Sequence, residues 1–327
     1  MTAELVPVDL GPGLVPTGFA EAVLARAGEV PEAVQLWSAA TDLAGLAQKW
    51  NGHGREKNEI KAAQMFCEIE LGQRLGTPYD HSPCAGVDLP DQRVAEFRRY
   101  HGHRDFLIEL VREGKRSRRS LLLEVDRAEA KDRPEPQEED LDIRAGDFRD
   151  VLVDVEPGTV ALVLTDPPYP EEYLPLWAEL GKFSSGALAD GGSLIAYCGQ
   201  SIMPRALSLL EPYLRYWWTI ALLHQHGTAM IPGKWVSAGW KPLLWFVKDY
   251  RAGRSMLADR IEGTAPRKTI ATGDDGTWAQ SSSELEPIIS ALTNPGDLIV
   301  DPFAGSGSTG IAALRFGRQF IGADVKA

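Results

Sequence analysis

Apolar residues recur at helical spacing in the first part of the chain and form short unbroken runs in the second part. Within residues 19–75, two apolar stripes recur every three or four positions: Val34, Trp37, Leu43, Leu46 and Trp50, then Ile60, Met65, Ile69 and Leu71. Such spacing places the side chains on one face, so each stripe predicts an amphipathic helix. Residues 91–131 predict three further short helices. We therefore predict an all-helical domain over residues 19–131, preceded by a disordered or extended terminus over residues 1–18.

From residue 142 to the end, short apolar runs alternate with helical patterns. The runs lie at residues 160–165, 192–198, 216–223, 241–248, 297–301 and 319–324. Runs without alternating polar positions are typical of strands buried on both faces. Strands alternating with helices predict the α/β class, with a Rossmann-like, doubly wound and mainly parallel sheet. The strand that ends at Asp324 is expected to pair with one near Ile143, which predicts a circularly permuted order. Residues 132–141, rich in proline and acids, predict a linker between the two domains.

The strand predicted at residues 160–165 runs directly into Asp166, Pro167, Pro168 and Tyr169. Prolines end a strand abruptly because they cannot donate to the ladder, so a rigid loop is expected at the strand's carboxyl end. This is the edge at which open α/β sheets bind ligands. One carboxylate, stiff carbonyls and an aromatic ring together suit a planar heterocycle that carries an amino group. The alternative interpretation is a plain turn with Asp166 as a cap.

A glycine-rich turn follows the strand predicted at residues 297–301. Gly305 and Gly307 allow a tight turn and a close approach to a ligand, with a helix beginning behind them. The next strand ends in Asp324, nineteen residues after Gly305. This spacing is close to that at which a strand-end carboxylate meets a ribose in Rossmann folds. Strand, turn, helix, strand and acid together predict a cofactor that contains adenosine.

These motifs resemble those of the S-adenosylmethionine-dependent DNA amino-methyltransferases. Asp166-Pro167-Pro168-Tyr169 is similar to the family's catalytic motif, and the segment from Asp301 to Gly307 is similar to its cofactor loop. The catalytic motif comes first here, which is the order of the family's β class. The Gly146-Asp147 pair also stands where that class carries one. The resemblance extends over residues 141–327 and implies a circularly permuted methyltransferase fold over residues 142–327.

The resemblance implies an enzyme, a site-specific DNA methyltransferase that uses S-adenosyl-L-methionine on a base flipped out of the duplex. It assigns catalysis to Asp166, Pro167, Pro168 and Tyr169. Within the cofactor site it assigns the adenine to Asp147, the ribose to Asp324 and the methionine end to Asp301. The loop residues implied to wrap the cofactor are Pro302, Phe303, Ala304, Gly305, Ser306 and Gly307. Adenine N6 is the favoured target. Cytosine N4 is the alternative, because in both exocyclic amines the nitrogen lone pair is delocalised into the ring and the amine is a weak nucleophile.

One motif departs from the family pattern. Many β-class relatives carry a His-Pro-Thr-Gln-Lys-Pro-like stretch before the cofactor strand, whereas residues 278–287 here read Trp-Ala-Gln-Ser-Ser-Ser-Glu-Leu-Glu-Pro. The contacts to the methionine carboxylate are therefore left open, with hydroxyls of residues 281–283 as candidates.

Charge is distributed unevenly along the chain. The formal net charge is −12, which does not favour phosphate binding, but residues 93–119 and 200–269 each carry a basic excess. The second stretch interleaves cations with tryptophans, as nucleic-acid surfaces do, and we predict a target-recognition insert over about residues 200–280. The candidate DNA-binding residues are Lys234, Trp235, Lys241, Arg254, Arg267 and Lys268. His224 and His226 lack a third ligand at suitable spacing, so no metal is predicted.

The remaining expectations concern partners and location. Three scattered cysteines and the lack of a signal or long apolar run favour a cytoplasmic protein without a membrane partner. The resemblance implies a bacterial or phage-encoded, nucleoid-associated protein. Double-stranded DNA is the expected partner, and a homodimer through the helical stripes and a restriction partner are compatible with the resemblance. The helical part loosely resembles ParB-like and phage proteins. The competing hypotheses are a non-catalytic DNA-binding or partition-type adaptor with a relic cofactor domain, and an enzyme acting on RNA or protein.

Overall fold

The computed structural model describes residues 15–30, 32–49, 54–75, 91–113, 118–223, 229–231, 234–250, 257–263 and 282–325. The expected disordered terminus therefore lies largely outside the described residues. The chain divides into two compact units, Met1–Val125 and Asp126–Ala327. The acidic stretch 132–141 belongs to the second unit, where Arg133 donates a hydrogen bond to the Arg315 carbonyl over 3.3 Å. No helix among the described residues has the length and apolar character needed to cross a bilayer.

The first unit is built from helices. They are α1 (Phe19–Glu29), α2 (Ala33–Lys49), α3 (Arg55–Arg74), α4 (Asp91–Gly102), α5 (Arg104–Arg112) and α6 (Arg118–Lys131), the last of which continues into the second unit. Ile60, Ile69 and Leu71 of α3 are fully buried, as the apolar stripe predicts. A Cβ at Gly72 would lie 1.8 Å from the Phe97 carbonyl oxygen, so α3 and α4 pack closely because this position lacks a side chain. The patterns in residues 19–75 predicted two helices and missed α1.

The second unit contains an eight-stranded sheet with the order β1-β10-β9-β2-β3-β7-β4-β8. Its strands are β1 (Ile143–Ala145), β2 (Val160–Thr165), β3 (Leu188–Tyr197), β4 (Arg215–Leu223), β7 (Trp240–Val247), β8 (Arg260–Glu262), β9 (Leu298–Asp301) and β10 (Gln319–Asp324). β5 (Ala229–Ile231) and β6 (Val236–Ala238) form a separate antiparallel pair. The helices are α7 (Phe148–Val151), α8 (Pro175–Ala187), α9 (Met203–Leu210), α10 (Ser282–Leu292) and α11 (Ser308–Arg315).

The sheet is mainly parallel and circularly permuted, as the sequence predicts. β1, β10, β9, β2 and β3 run in one direction, whereas β7 is antiparallel to both β3 and β4. Ala145 pairs with Asp324, so the last strand of the chain lies beside the first strand of the sheet. β2 and β9 occupy the centre, and their residues Val163 and Val300 are fully buried. This burial explains why their sequences show no polar alternation.

A buried ion pair anchors the entry to β10. Arg318 Nη1 lies 2.6 Å from Asp126 Oδ1, and both side chains are inaccessible to solvent. Arg318 also donates to the Thr293 hydroxyl and carbonyl over 3.0 and 2.8 Å. A buried charge of this kind needs several polar partners to offset its desolvation, and here they come from three separate segments of the second unit.

Candidate active site

Two loops leave neighbouring parallel strands at the same edge of the sheet. β2 and β9 pair through Val163 and Val300. At their carboxyl ends, the Thr165 hydroxyl donates to Asp301 Oδ1 over 2.6 Å. Because the loops starting at Asp166 and Pro302 follow these two residues directly, both motifs begin side by side. The structure therefore brings together the two stretches that the sequence separates by more than a hundred residues.

Asp301 is an internal anchor of the second loop. Its side chain is buried, and its Oδ1 accepts from the Phe303 backbone N–H over 3.0 Å as well as from Thr165. Burial raises the pKa of Asp301 from 3.8 to about 6, against the lowering effect of hydrogen bonds from Thr165, Thr309 and the Phe303 backbone. The carboxylate therefore holds the loop from inside the protein.

The glycine-rich turn adopts backbone conformations that favour glycine. Gly305 has φ +53° and Gly307 has φ +79°, both in the left-handed region. A Cβ at Gly307 would lie 2.4 Å from Leu141 Cδ1, whereas a Cβ at Gly305 would meet open space. The Gly305 N–H donates to Asp324 Oδ2 over 2.9 Å, which ties the turn to the end of β10. Pro302 and Ala304 are buried, whereas Ser306 is exposed and its hydroxyl lies 3.3 Å from that of Ser308.

Asp147 and Phe303 lie next to this turn. Asp147 follows β1 and caps α7 by accepting from the Arg149 N–H over 3.0 Å. Its pKa is lowered, mainly by hydrogen bonds from the Arg149 side chain. The Phe303 ring packs edge-on against Phe148 with 5.3 Å between centroids. Asp147, which follows β1, and Asp324, which ends β10, thus lie at one edge of the sheet. They lie near Gly305 and the apolar side chains of Phe303 and Phe148.

Asp166 is held on both carboxylate oxygens. The Tyr169 hydroxyl donates to Oδ1, and Lys241 Nζ donates to Oδ2 over 2.9 Å. Burial, followed by the charge of Asp166, raises the pKa of Tyr169, so this hydroxyl stays a donor. The Asp166 side chain is 30% exposed and therefore accessible to a ligand. Pro167 is buried and Pro168 is half-buried, which fixes the backbone on the carboxyl side of the acid.

Tyr197 and Glu284 complete the surroundings of Asp166, and neither was predicted from the sequence as a site residue. Tyr197 ends β3, beside β2, and its buried hydroxyl has no hydrogen-bond partner among the described residues. Lys241 Nζ lies 4.8 Å from the centre of the Tyr197 ring. Glu284, in the first turn of α10, has a raised pKa because burial outweighs the charge of Lys241. The position of Tyr197 at the end of a buried strand is the signal that identifies it.

The candidate DNA-binding residues occupy different places. Lys234 and Trp235 are exposed just before β6, and Trp235 is 91% exposed. Lys241 instead contacts Asp166. Arg254, Arg267 and Lys268 lie outside the described residues, as do His224 and His226. No metal-ligating cluster occurs in the described part of the chain.

The aromatic residues interpreted as one DNA-facing set are divided between opposite edges of the sheet. Leu223 of β4 pairs with Trp240 at the start of β7, and Arg215 pairs with Val247 at its end. Trp217 and Trp218 near the start of β4 are therefore at the edge away from Asp166. Because β7 is antiparallel to β4, Trp240 at its start lies beside the end of β4, at the edge opposite to Trp217 and Trp218. The sequence pattern did not reveal this strand direction.

The basic excess at residues 93–119 is partly neutralised within the helical unit. Arg98 donates to the Leu75 carbonyl over 2.8 Å, and Arg112 lies 3.0 Å from Glu21. Arg93 pairs with Glu96, and Arg104 contacts the buried Glu70. Arg98, Arg104 and Arg112 thus connect different helical segments, whereas Arg93 pairs within α4. These contacts favour a structural role over a surface for phosphates.

Comparison with known proteins places a family match at the carboxyl end of the chain. Residues 282–327 match the family model N6_N4_Mtase, described as DNA methylase. This segment contains α10, β9, the glycine-rich turn, α11 and β10, so the resemblance to DNA amino-methyltransferases is confirmed there.

Individual relatives align over the same small share of the chain. "Type II methyltransferase M2.DpnII" of Streptococcus pneumoniae is 60% identical over 42 residues, 13% of this chain and 16% of the relative. "DNA adenine methyltransferase YhdJ" of Escherichia coli (strain K12) is 54% identical over 41 residues, 12% of this chain and 14% of the relative. The chain thus aligns with less than a fifth of the length of these curated relatives.

Solved structures align over a larger share at lower identity. M1.HpyAVI is 23% identical, with a TM-score of 0.44 over 56% of this chain and 91% of that chain. "PvuII DNA methyltransferase (cytosine-N4-specific)" is 19% identical, with a TM-score of 0.49 over 56% of this chain and 80% of that chain.

Proposed function

We propose that this chain is an S-adenosylmethionine-dependent DNA methyltransferase that modifies the exocyclic amine of a base, most readily adenine N6. The observation that carries the proposal is the meeting of the Asp166 and Gly305 loops at the ends of adjacent strands. The Asp166 carboxylate, which can accept from an amine, and the glycine-rich turn, which suits a nucleoside, thus lie at the same edge of the sheet. The DNA methylase match over residues 282–327 supports the cofactor half of this arrangement.

The residues around the glycine turn fit the proposed cofactor. The open space beside Gly305 leaves room for a ligand against the backbone, and α11 begins directly behind it. Asp324 would accept from ribose hydroxyls, Asp147 would lie near the adenine, and Phe303 would offer an apolar edge. Asp301 is buried, so its part is to shape the loop from within. When bound, S-adenosylmethionine supplies a methyl group activated by an adjacent sulfonium.

The Asp166 loop would increase the reactivity of the amine. The lone pair of adenine N6 is delocalised into the ring, so the amine is a weak nucleophile. Asp166 accepting one N–H and the Pro167 carbonyl accepting the other would return electron density to nitrogen and stabilise its growing positive charge. Tyr169 would stack on the base, which must leave the duplex to reach this position.

DNA is the proposed acceptor, and the insert at about residues 200–280 is its proposed recognition surface. The exposure of Trp235 next to Lys234 supports this role, because a flat ring beside a cation suits a base beside a phosphate. Adenine is favoured by the Asp-Pro-Pro-Tyr form, and the name of one relative, DNA adenine methyltransferase YhdJ, agrees with it. The name of the PvuII neighbour specifies cytosine N4, which keeps that amine as the alternative.

The experiment is methyl transfer from labelled cofactor to unmethylated genomic DNA, followed by mass spectrometry of the nucleosides. The wild type is expected to yield N6-methyladenine. Asp166→Ala should lower the rate at least about 100-fold and leave cofactor binding intact. Asp190→Ala is the matched control, because this acid is 77% exposed at the amino end of β3.

Each competing hypothesis has its own outcome. N4-methylcytosine would change the target base and preserve the mechanism. DNA binding without transfer by the wild type would contradict the enzyme and favour the adaptor. Transfer to RNA or protein in parallel reactions, with none to DNA, would reassign the acceptor. Full transfer by Asp166→Ala would refute the role proposed for Asp166.

A further inference from the structure

We infer that Lys241 is a positioning residue for this reaction, which fixes the orientation of the Asp166 carboxylate. The inference rests on the proposed function and assigns a task to a lysine that the sequence pattern placed among the DNA contacts. It concerns a residue that would act through Asp166, since Lys241 itself makes its contacts with protein groups.

Strand direction brings Lys241 to Asp166. Lys241 is the second residue of β7, which is antiparallel to β3, so the start of β7 lies at the edge where β3 ends. The Cys198 N–H donates to the Pro242 carbonyl over 2.9 Å and fixes this end of β7 against β3. On the other side, Lys241 pairs with Leu222 of β4. The backbone that carries the lysine is therefore held between two strands.

The ammonium group of Lys241 lies in a defined cage. It is 2.9 Å from Asp166 Oδ2 and 4.7 and 4.8 Å from the ring centres of Tyr169 and Tyr197. Its side chain is only 23% exposed. A cation over two rings and beside a carboxylate is favoured by both interactions, more so where water is partly excluded. Lys241 therefore donates to Oδ2 while Tyr169 donates to Oδ1. Together they fix the plane of the carboxylate that would accept a hydrogen bond from the amine.

The charges around Asp166 require such a cation. Asp301 and Glu284 both have raised pKa values, chiefly because of burial, and the charge of Asp166 contributes to the increase at Asp301. Lys241 opposes the increase at Glu284. Lys241 thus places a positive charge among three carboxyl groups, those of Asp166, Glu284 and Asp301. The titratable groups facing Asp166 and Lys241 are Tyr169, Tyr197, Cys198, Glu284 and Asp301.

The orientation of the Asp166 carboxylate decides how well it can accept from the amine. Tyr169 and Lys241 each donate to one of its oxygens and so fix the direction of the remaining lone pairs. Lys241 is therefore expected to raise kcat through the orientation of Asp166. A lysine that merely contacted phosphate would instead affect DNA affinity and its salt dependence.

The test measures kcat and both KM values for the full chain, with labelled cofactor and unmethylated genomic DNA. Lys241→Met should lower kcat about 10- to 100-fold, the cost of a misplaced reacting group. Its KM for cofactor should stay within about 2-fold of the wild type. Lys241→Arg should recover most of kcat, because it keeps a cation that can donate to Asp166.

The control is Lys248→Met, which directly follows β7 at the opposite edge of the sheet. Lys248 Nζ donates to the Leu188 carbonyl over 2.7 Å, so its loss tests the removal of a part-buried lysine next to β7 without touching Asp166. Its kcat should match that of the wild type. Should Lys241→Met fail to fold, the comparison of Lys241→Arg with Lys241→Gln carries the same test.

The outcomes separate this inference from the proposed function. A wild type that transfers no methyl group to DNA refutes the proposed function, and the role of Lys241 with it. An active wild type with an equally active Lys241→Met refutes the positioning role alone. A higher KM for DNA with a weaker salt dependence and an unchanged kcat would show Lys241 to be a phosphate contact and would also overturn the inference.

Discussion

The buried Asp301 predicts a defined dependence of stability on pH. The perturbation is Asp301→Asn, which keeps the shape of the side chain and removes its charge. Because the folded state raises the pKa of Asp301, the folded protein binds the proton more tightly than the unfolded chain does. The stabilising contribution of this proton is fully present below the ordinary pKa of 3.8. It is lost as pH rises through about 6.

The magnitude follows from the two pKa values. A rise from 3.8 to about 6 corresponds to about 3 kcal/mol, at about 1.4 kcal/mol for each pH unit. Asp301→Asn should therefore gain stability relative to the wild type by up to about 3 kcal/mol between pH 4 and pH 7. The prediction concerns how the difference in free energy of unfolding varies with pH. An amide that fits poorly against Thr165 and Phe303 would shift this difference equally at every pH and would leave its variation unchanged.

The assay is urea unfolding of both proteins at half-unit steps of pH, with the difference in free energy of unfolding taken at each pH. Other carboxylates cancel in this difference because both proteins share them. Asp190→Asn should give a flat difference, since that side chain is 77% exposed. A flat difference for Asp301→Asn, or one that falls with pH, would refute the argument that burial dominates at Asp301.

Two further predictions concern the frame of the site. An alanine at position 305 or 307 must adopt a left-handed conformation, which costs about 1–2 kcal/mol. In urea unfolding, Gly307→Ala should lose more free energy of unfolding than Gly305→Ala, because its Cβ would lie 2.4 Å from Leu141 Cδ1. Equal losses would contradict this. Arg318→Met should lower the free energy of unfolding by about 3–5 kcal/mol, because it removes one partner of a fully buried ion pair. The double variant with Asp126→Leu should recover most of that loss in the same assay, and a failure to recover would show that the buried charge is not the cause.

The central strands could be predicted because their environment matches their composition. β2 and β9 lie in the interior of the sheet between parallel neighbours, so nearly every side chain is buried and the apolar runs are unbroken. The ends of these strands are marked by Pro167 and Pro302, which cannot continue a ladder.

Boundaries were less predictable where polar residues take part in strands. β3 begins at Leu188, four residues before the apolar run, and includes Asp190 and Gly191 with φ +79°. The Gly191 N–H donates to the carbonyl of Lys248, which directly follows β7, over 3.2 Å and so extends the pairing there. This pairing depends on a partner strand more than fifty residues away, which no local pattern reveals.

The site residues likewise differ in how well the sequence predicts their position. Asp166 and Gly305 follow parallel strands, for which one rule places every carboxyl end at the ligand edge, so sequence alone locates them. Lys241 begins an antiparallel strand, for which the rule reverses: the amino end of β7 faces the ligand edge. A lysine at the start of an apolar run therefore looks like a surface cation until strand direction is known. In this sheet it lies against Asp166, and Trp217 and Trp218, which share its sequence neighbourhood, lie at the opposite edge. Composition marks which residues can carry chemistry, and strand direction decides which of them meet.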